Sequence, residues 1–457
     1  MEKSTQQAHA VVLPYPSQGH INPMLQFAKR LSSHGLLATL ATTRFILSTT
    51  RPEPGPVALA PISDGFDRAG FAEASSIWAY LDRLESVGST TLDELIRSER
   101  AAGRPVRALV YDSFLPWARD VGERHGLVTA AFFTQSCAVN IVYGLVNMGL
   151  LHIPVTGPVS PPGLPRLEPD DLPSFVSEAD GGPYPSYLKL VMEQYKNLEK
   201  ADVVFVNSFY ELEPEEAGYM ASTWRAKTIG PTVPSSYLNN RLPSDFHYGF
   251  HLYKPSIAPC MQWLDSQPSK SVIYVSFGSM AVLGPDQMAE LAFGLLNSGK
   301  CFLWVVRSSE TSKLPKNFIE DLSSERGLVV SWSPQIEVLS HEAIGCFLMH
   351  CGWNSIVEGI SLGVAPMVGV PQWTDQPMNA KYIEDVWRIG VRARANEKGL
   401  VGREEVERCV RVVMEGERSE EIRRNARKWR ELAKKAVGEG GSSDRNIMEF
   451  VANYCSK

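Results

Sequence analysis

Short β-branched runs alternate with amphipathic stretches from the start of the chain. AHAVVLPYP gives way to PMLQFAKRLSSHG and then LLATLATT, and ALVYD, TAAFF and DVVFVNS continue the scheme. Apolar runs of strand length separated by helix-period segments predict βαβ units around a parallel sheet. The regularity lapses over 155–185, which is Pro-rich, and over 229–259, which is turn-rich and weakly periodic, as an interdomain linker would be. A second series comes next in SVIYVSFGS, DQMAELAFGLLNSG, CFLWVVR, GLVVSW, AIGCFLMH and APMVGVP, and predicts another doubly wound unit. The charged tract EEVERCVRVVMEGERSEEIRRNARKWRELAKKA reads as amphipathic helices with solvated faces, and SSDRNIMEFVANYC as a capped terminal helix. The halves resemble each other, but no solenoid-type tandem repeat is present.

A chain of 457 residues is too long for one ordinary core. The expected architecture is α/β, with two Rossmann-like doubly wound domains facing each other across a cleft. Residues 1–240 form the first and 241–457 the second, and the terminal helix packs back on the first.

Charge and cysteine usage narrow the partners. With 45 Lys and Arg against 51 Asp and Glu, the net charge is −6, and no basic run offers a footprint for nucleic acid or anionic lipid. Small-molecule partners are favoured. The start MEKSTQQAHAVVLPYP lacks a basic region followed by an apolar one, so no targeting segment is read. The most apolar long window, 129–155, carries Gln135, Asn140 and Asn147, and reads as a buried helix beside a pocket rather than a membrane span. Seven scattered cysteines without a CxxC pair fit a reduced, cytoplasmic protein. His341, Cys346, His350 and Cys351 lie close in sequence, but neighbours at 350 and 351 on a strand point to opposite faces, so no metal is expected.

The stretch FLMHCGWNSIVEGISLG, 347–363, crowds polar residues behind a buried apolar run. AIGCFLMH has strand length, Gly352 allows a tight turn, and Asn354 or Ser355 can cap a helix through IVEGISL. Strand, turn and helix N-terminus together make an anion site, to which the side chains of His350, Asn354 and Ser355 add donors. Glu358 lies one turn on, over the face of Asn354 and Ser355, at a reach suited to a ribose hydroxyl pair. An ordinary capped helix would account for this element alone. However, SFGSM at 276–280 is a second Gly/Ser turn at a strand end, and SWSPQ at 331–335 offers Trp332 as a stacking platform and Gln335 as a ribose partner. Three strand ends in one half point to a shared ligand at the carboxyl edge of the sheet. GISLG at 359–363 matches a hydrolase nucleophile elbow, but there the helix precedes the strand, which excludes it. No dinucleotide fingerprint or Walker A loop occurs.

In the first half, PYPSQGHINPM places His20 in a loop after the first strand, and ALVYD places Asp112 at the end of another. A histidine beside a carboxylate is the arrangement of a general base whose imidazolium is stabilised as it takes a proton.

WSPQIEVLSHEAIGCFLMHCGWNSIVEGISLGVAPMVGVPQWTDQ, 332–376, resembles the C-terminal signature box of plant family 1 UDP-dependent glycosyltransferases. The likeness runs along nearly the whole chain, through PSQGH, VYD and SFGS. It implies a GT-B type fold, an acceptor-binding first domain, a UDP-sugar-binding second domain and no metal. By resemblance, Trp332 stacks on uracil, the backbone of Ser333 reads its edge, and Gln335 and Glu358 hold the ribose. Ser279, His350, Asn354 and Ser355 bind the diphosphate, with Gly352 in the turn; Trp353, Asp375 and Gln376 contact the sugar. His20 is the base, Asp112 orients it, and Gly19 and Thr134 bind the donor from the first domain. A terminal Gln in the box implies glucose. One departure is GVAPMVGV where the family more often reads GVPMVGV, so Ala365 looks inserted.

The implied reaction is inverting transfer from UDP-glucose to a hydroxyl of a lipophilic small molecule, such as a steroid, triterpenoid or phenolic, giving a β-glucoside. The alternative is a glucose ester of a carboxylic acid. CAVNIVYGLVNMGLL with Phe114, Leu115 and Trp117 suggests an apolar acceptor pocket. A non-catalytic UDP-sugar sensor would not need His20 and Asp112. The expected protein is a monomer with no nucleic-acid partner and no integral membrane segment.

Overall fold

The computed structural model describes residues 7–363 and 366–455. It divides the chain into two units. The first comprises 1–169, 175–252 and 433–457, and the second 170–174 and 253–432.

In the first unit, β1 (His9–Leu13), β2 (Leu37–Thr43), β3 (Ala58–Ile62), β4 (Val106–Asp112), β5 (Val128–Phe133), β6 (Val203–Val206) and β7 (Ala226–Thr228) form one sheet in the order β3-β2-β1-β4-β5-β6-β7. Every pair is parallel. A parallel sheet covered on both faces needs apolar residues on both, and β1 is buried along its whole length. Phe27, Phe132 and Phe205 meet within the core, with ring centroids 5.5 and 5.1 Å from Phe27. The terminal helix Ser442–Phe450 joins them through Phe450, whose ring lies edge-on to Phe205 at 5.1 Å.

In the second unit, β8 (Val272–Ser276), β9 (Cys301–Val305), β10 (Gly327–Val330), β11 (Ile344–Met349), β12 (Met367–Gly369) and β13 (Gly390–Arg392) are arranged β10-β9-β8-β11-β12-β13, again all parallel. In both sheets the strand order reverses beside the first strand, between β1 and β4 and between β8 and β11. Open α/β sheets bind ligands at the carboxyl ends of the strands flanking such a reversal, because the loops there diverge to opposite faces and leave a crevice.

The passage between the units falls at Leu252/Tyr253, beyond residue 240 where the sequence pattern placed it. Residues 241–252 stay with the first unit because buried Lys29 pairs with Asp245 at 2.5 Å and Gln18 brackets Phe250 and Leu252 with hydrogen bonds of 3.0 and 2.8 Å. Ala365 lies outside the described residues. Among the described residues no helix is long and apolar enough to cross a membrane.

Candidate active site

His20 belongs to the first turn of the helix Gln18–Ser33, not to a loop, because the chain turns helical immediately after Ser17, with Gly19 in the same turn. Asp112 closes β4, beside β1 at the strand reversal. The imidazole Nδ1 lies 2.7 Å from Asp112 Oδ2; the ring is 16% exposed and the carboxylate fully buried. A carboxylate accepts, so Nδ1 carries a hydrogen, and in the neutral imidazole the lone pair is on Nε2. Asp112 is fixed by two further donors, the Tyr15 N–H at 3.1 Å and the Phe114 N–H at 3.0 Å. Thr134, at the end of β5, places its hydroxyl 3.5 Å from the same Nδ1. Tyr15 and Phe114 stand around the imidazole at centroid distances of 5.3 and 4.9 Å. Burial, with Tyr187 and Asp112 nearby, pushes the Tyr15 phenol up, so it remains a donor at neutral pH.

Phe114, Leu115 and Trp117 also line a cavity of about 220 Å³ in the first unit, with Trp78, Leu81 and Leu190. Asp82, Glu85, Lys189 and Glu193 are among its polar lining residues. The stretch from Cys137 is different: in the helix Cys137–Asn147, residues 137–145 are buried and belong to the core rather than to this cavity.

In the second unit Ser276 at the end of β8 pairs with Met349 at the end of β11, so the turns carrying Ser279 and His350 leave the sheet side by side. Gly278 has φ +69°, and a Cβ there would stand 2.9 Å from the His350 ring; one on Gly352 would meet the ring at 2.5 Å. Both glycines are therefore required for the imidazole to lie between the two turns. Its Nδ1 is buried with no hydrogen-bond partner among the described residues, and desolvation pushes the imidazole down to about 4. His350 is neutral at physiological pH. Arg307 braces the first turn by donating to the carbonyls of Ser279 and Ala281.

The helix Trp353–Leu362 is capped by Gly352, which has no side chain to accept, and neither Asn354 nor Ser355 acts as its cap. Its first-turn N–H groups thus face the turn without a side-chain cap, which suits an anion. Asn354, in that first turn, is partly exposed. Ser355, expected at a diphosphate, accepts from Gln335 Nε2 at 3.0 Å, which leaves its O–H to donate, and the same amide donates to Glu358 Oε2 at 2.6 Å. Tyr274, which nothing in the sequence pattern marks, completes the chain: its hydroxyl donates to Gln335 Oε1 at 3.0 Å and meets Ser333 Oγ at 2.7 Å. Only the strand register shows that Tyr274 points this way. The Trp332 ring lies 4.5 Å from Tyr253, and its carbonyl accepts from Ser256 N–H at 2.9 Å. Trp353 turns its ring into the core, 4% exposed, 6.0 Å from Trp387, so what it presents to a ligand is main chain.

Asp375 precedes the helix Gln376–Lys381. Its Oδ2 accepts from Asn379 at 2.7 Å, and burial, only partly offset by that bond, pushes the carboxyl up to about 6. Gln376 Oε1 accepts from the N–H groups of Gln372 and Trp373 at 2.9 and 3.3 Å, which closes the loop on itself. Among the described residues no group of three or more His, Cys, Asp or Glu is placed to hold a metal ion.

A family model described as UDP-glucoronosyl and UDP-glucosyl transferase matches residues 219–429. Crocetin glucosyltransferase 2 of Crocus sativus is 53% identical over 448 residues, covering 98% of this chain and 97% of its own. The chain belongs to the plant family 1 UDP-glycosyltransferases. UDP-glycosyltransferase 74F2 of Arabidopsis thaliana is 50% identical over 98% of this UDP-glycosyltransferase and 99% of its own length. Among solved structures, that of Os79 from O. sativa in complex with UDP superposes with a TM-score of 0.91 at 50% identity, covering 97% of this chain and all of that one. The fold is thus of the GT-B type, and the enzyme uses a UDP-sugar as co-substrate.

Proposed function

We propose that this UDP-glycosyltransferase transfers glucose from UDP-glucose to a hydroxyl of a lipophilic small molecule with inversion, giving a β-glucoside. The observation that carries this reading is the His20 Nδ1 to Asp112 contact of 2.7 Å on a fully buried carboxylate. Asp112 fixes the tautomer with a free Nε2 and stabilises the imidazolium that forms. Nε2 takes the acceptor's hydroxyl proton, the oxygen bonds to the anomeric carbon, and the bond from that carbon to UDP breaks with its electron pair leaving on the diphosphate. Attack opposite the leaving group converts the α-linked donor to a β-product. The helix N-terminus at Trp353 and Asn354, together with Ser279 and neutral His350 as a hydrogen-bond donor, offsets charge on the leaving diphosphate. Trp332 holds the uracil, with the Ser333 main chain at its edge. Gln335 and Glu358, preset by Tyr274 and Ser355, take the ribose. Asp375, Gln376 and Thr134 are assigned to the sugar.

The rings of Tyr15 and Phe114 around the base support a phenolic or polycyclic alcohol as acceptor. The seven cysteines, all free, support work in the cytoplasm, and we take the enzyme to act as a monomer. His20→Ala is expected to cut transfer to alcohols by about 10²–10⁴-fold, the range of a lost general base, while UDP affinity by calorimetry stays unchanged. Full activity of a folded His20→Ala enzyme on alcohols would refute the base. A product cleaved by mild alkali, formed from a carboxylic acid and insensitive to His20→Ala, would instead identify glucose-ester formation.

A further inference from the structure

Two hundred residues upstream of the sugar loop, Asp170–Ser174 belongs to the second unit although the chain on either side belongs to the first. Ser174 and Thr374 exchange two hydrogen bonds. The Ser174 N–H donates to the Thr374 carbonyl at 2.8 Å, and the Thr374 N–H donates to Ser174 Oγ at 2.8 Å. Thr374 has φ +56°, a conformation that a β-branched side chain disfavours, so it persists only where surrounding bonds impose it. The same segment also grips the elements beyond the loop: Asp171 accepts from Arg392 at 3.0 Å and from Lys381 at 3.2 Å, and Arg392 also donates to the Asp170 carbonyl at 2.7 Å. Lys381 ends the helix that starts at Gln376, and Arg392 ends β13.

Asp375 and Gln376 come directly after Thr374. Their own bonds, to Asn379, Gln372 and Trp373, tie side chains within the loop. The turn of the main chain that aims them is held from outside the loop by the Ser174 pair. We infer that Ser174 is a positioning residue for the donor sugar: by pinning Thr374 in the left-handed conformation, it sets Asp375 and Gln376 and thereby the enzyme's preference among hexoses. The inference rests on the proposed contact of those two residues with the sugar. Ser174 itself touches no reacting atom.

The test compares Ser174→Ala, which removes the Oγ acceptor, and Ser174→Thr, which keeps it, with Gln376→Ala as reference. KM and kcat for UDP-glucose and UDP-galactose and the dissociation constant of UDP are measured on the full chain. Ser174→Ala is expected to raise KM for UDP-glucose about tenfold and to narrow the glucose-over-galactose preference by a similar factor, the weight of one lost hydrogen bond. UDP affinity should stay within about twofold, and Ser174→Thr should restore the preference. An unchanged preference in Ser174→Ala, or a parallel loss of UDP affinity, overturns the inference. If Gln376→Ala shifts the preference and Ser174→Ala does not, the positioning role fails alone; if neither shifts it, the assignment of the sugar loop fails too. Should Ser174→Ala not fold, Asp171→Asn loosens the other end of the segment, and the same criteria apply to it.

Discussion

Asp375 is a carboxyl only 6% exposed, and burial, only partly offset by hydrogen bonds from the Asn379 and Thr374 side chains, pushes it up to about 6. By linkage, a carboxyl raised above its unfolded value supports the native state below about pH 4, and that support is lost as pH rises through about 6. Sugar hydroxyls donate to the ionised form, so donor binding should go the other way, weakening as pH falls through about 6. KM for UDP-glucose is expected to rise below that pH, and the inflection should vanish in Asp375→Asn; a KM flat from pH 5 to 8 would remove Asp375 from the sugar site. Gly278→Ala should tell equally at this scale. A Cβ at φ +69°, 2.9 Å from the His350 ring, displaces the imidazole, and UDP should bind about tenfold more weakly, with a stability loss of only about 1–2 kcal/mol. His20 and Asp112 were legible because each comes after a strand-like run, at its carboxyl end. Tyr274 and Ser174 were not, since one depends on which way a buried strand residue faces and the other on a contact across two hundred residues.

Among the elements, the strands and long helices could be read from alternation alone, because the apolar runs are short and punctuated by Gly, Pro and Asn. The details that misled were local. Asn354 and Ser355 have the chemistry of caps, yet the turn ends at Gly352, and the helix starts at Trp353, ahead of both. The helix Cys137–Asn147 is buried over 137–145, and its N-terminus is tied inward. The Cys137 and Ala138 N–H groups donate to buried Glu213 at 3.1 and 3.0 Å, and the Ser208 hydroxyl donates to the same carboxylate. Glu213→Ala strands three donors at once. We expect it to cost about 3 kcal/mol of stability in urea unfolding, with the KM for UDP-glucose untouched in the folded fraction.

For the whole molecule, neither unit is a continuous piece of sequence. The terminal helix completes the first core: Phe450 is 1% exposed, edge-on to Phe205, and Ile447 is buried with it. Phe450→Ala should cost about 3–5 kcal/mol, visible as a lowered melting temperature, although the residue lies some 430 positions beyond His20. The five residues Asp170–Ser174 make the reverse crossing. A breeder of new specificities who shuffles halves between relatives at residue 252 would therefore inherit a mismatch. The graft would carry Thr374, Lys381 and Arg392 from one parent but their clasp, Asp171 and Ser174, from the other. The natural unit of exchange is a mosaic, 253–432 together with the short upstream patch, and recombinants that respect it should keep their hexose preference where simple half-and-half hybrids lose it.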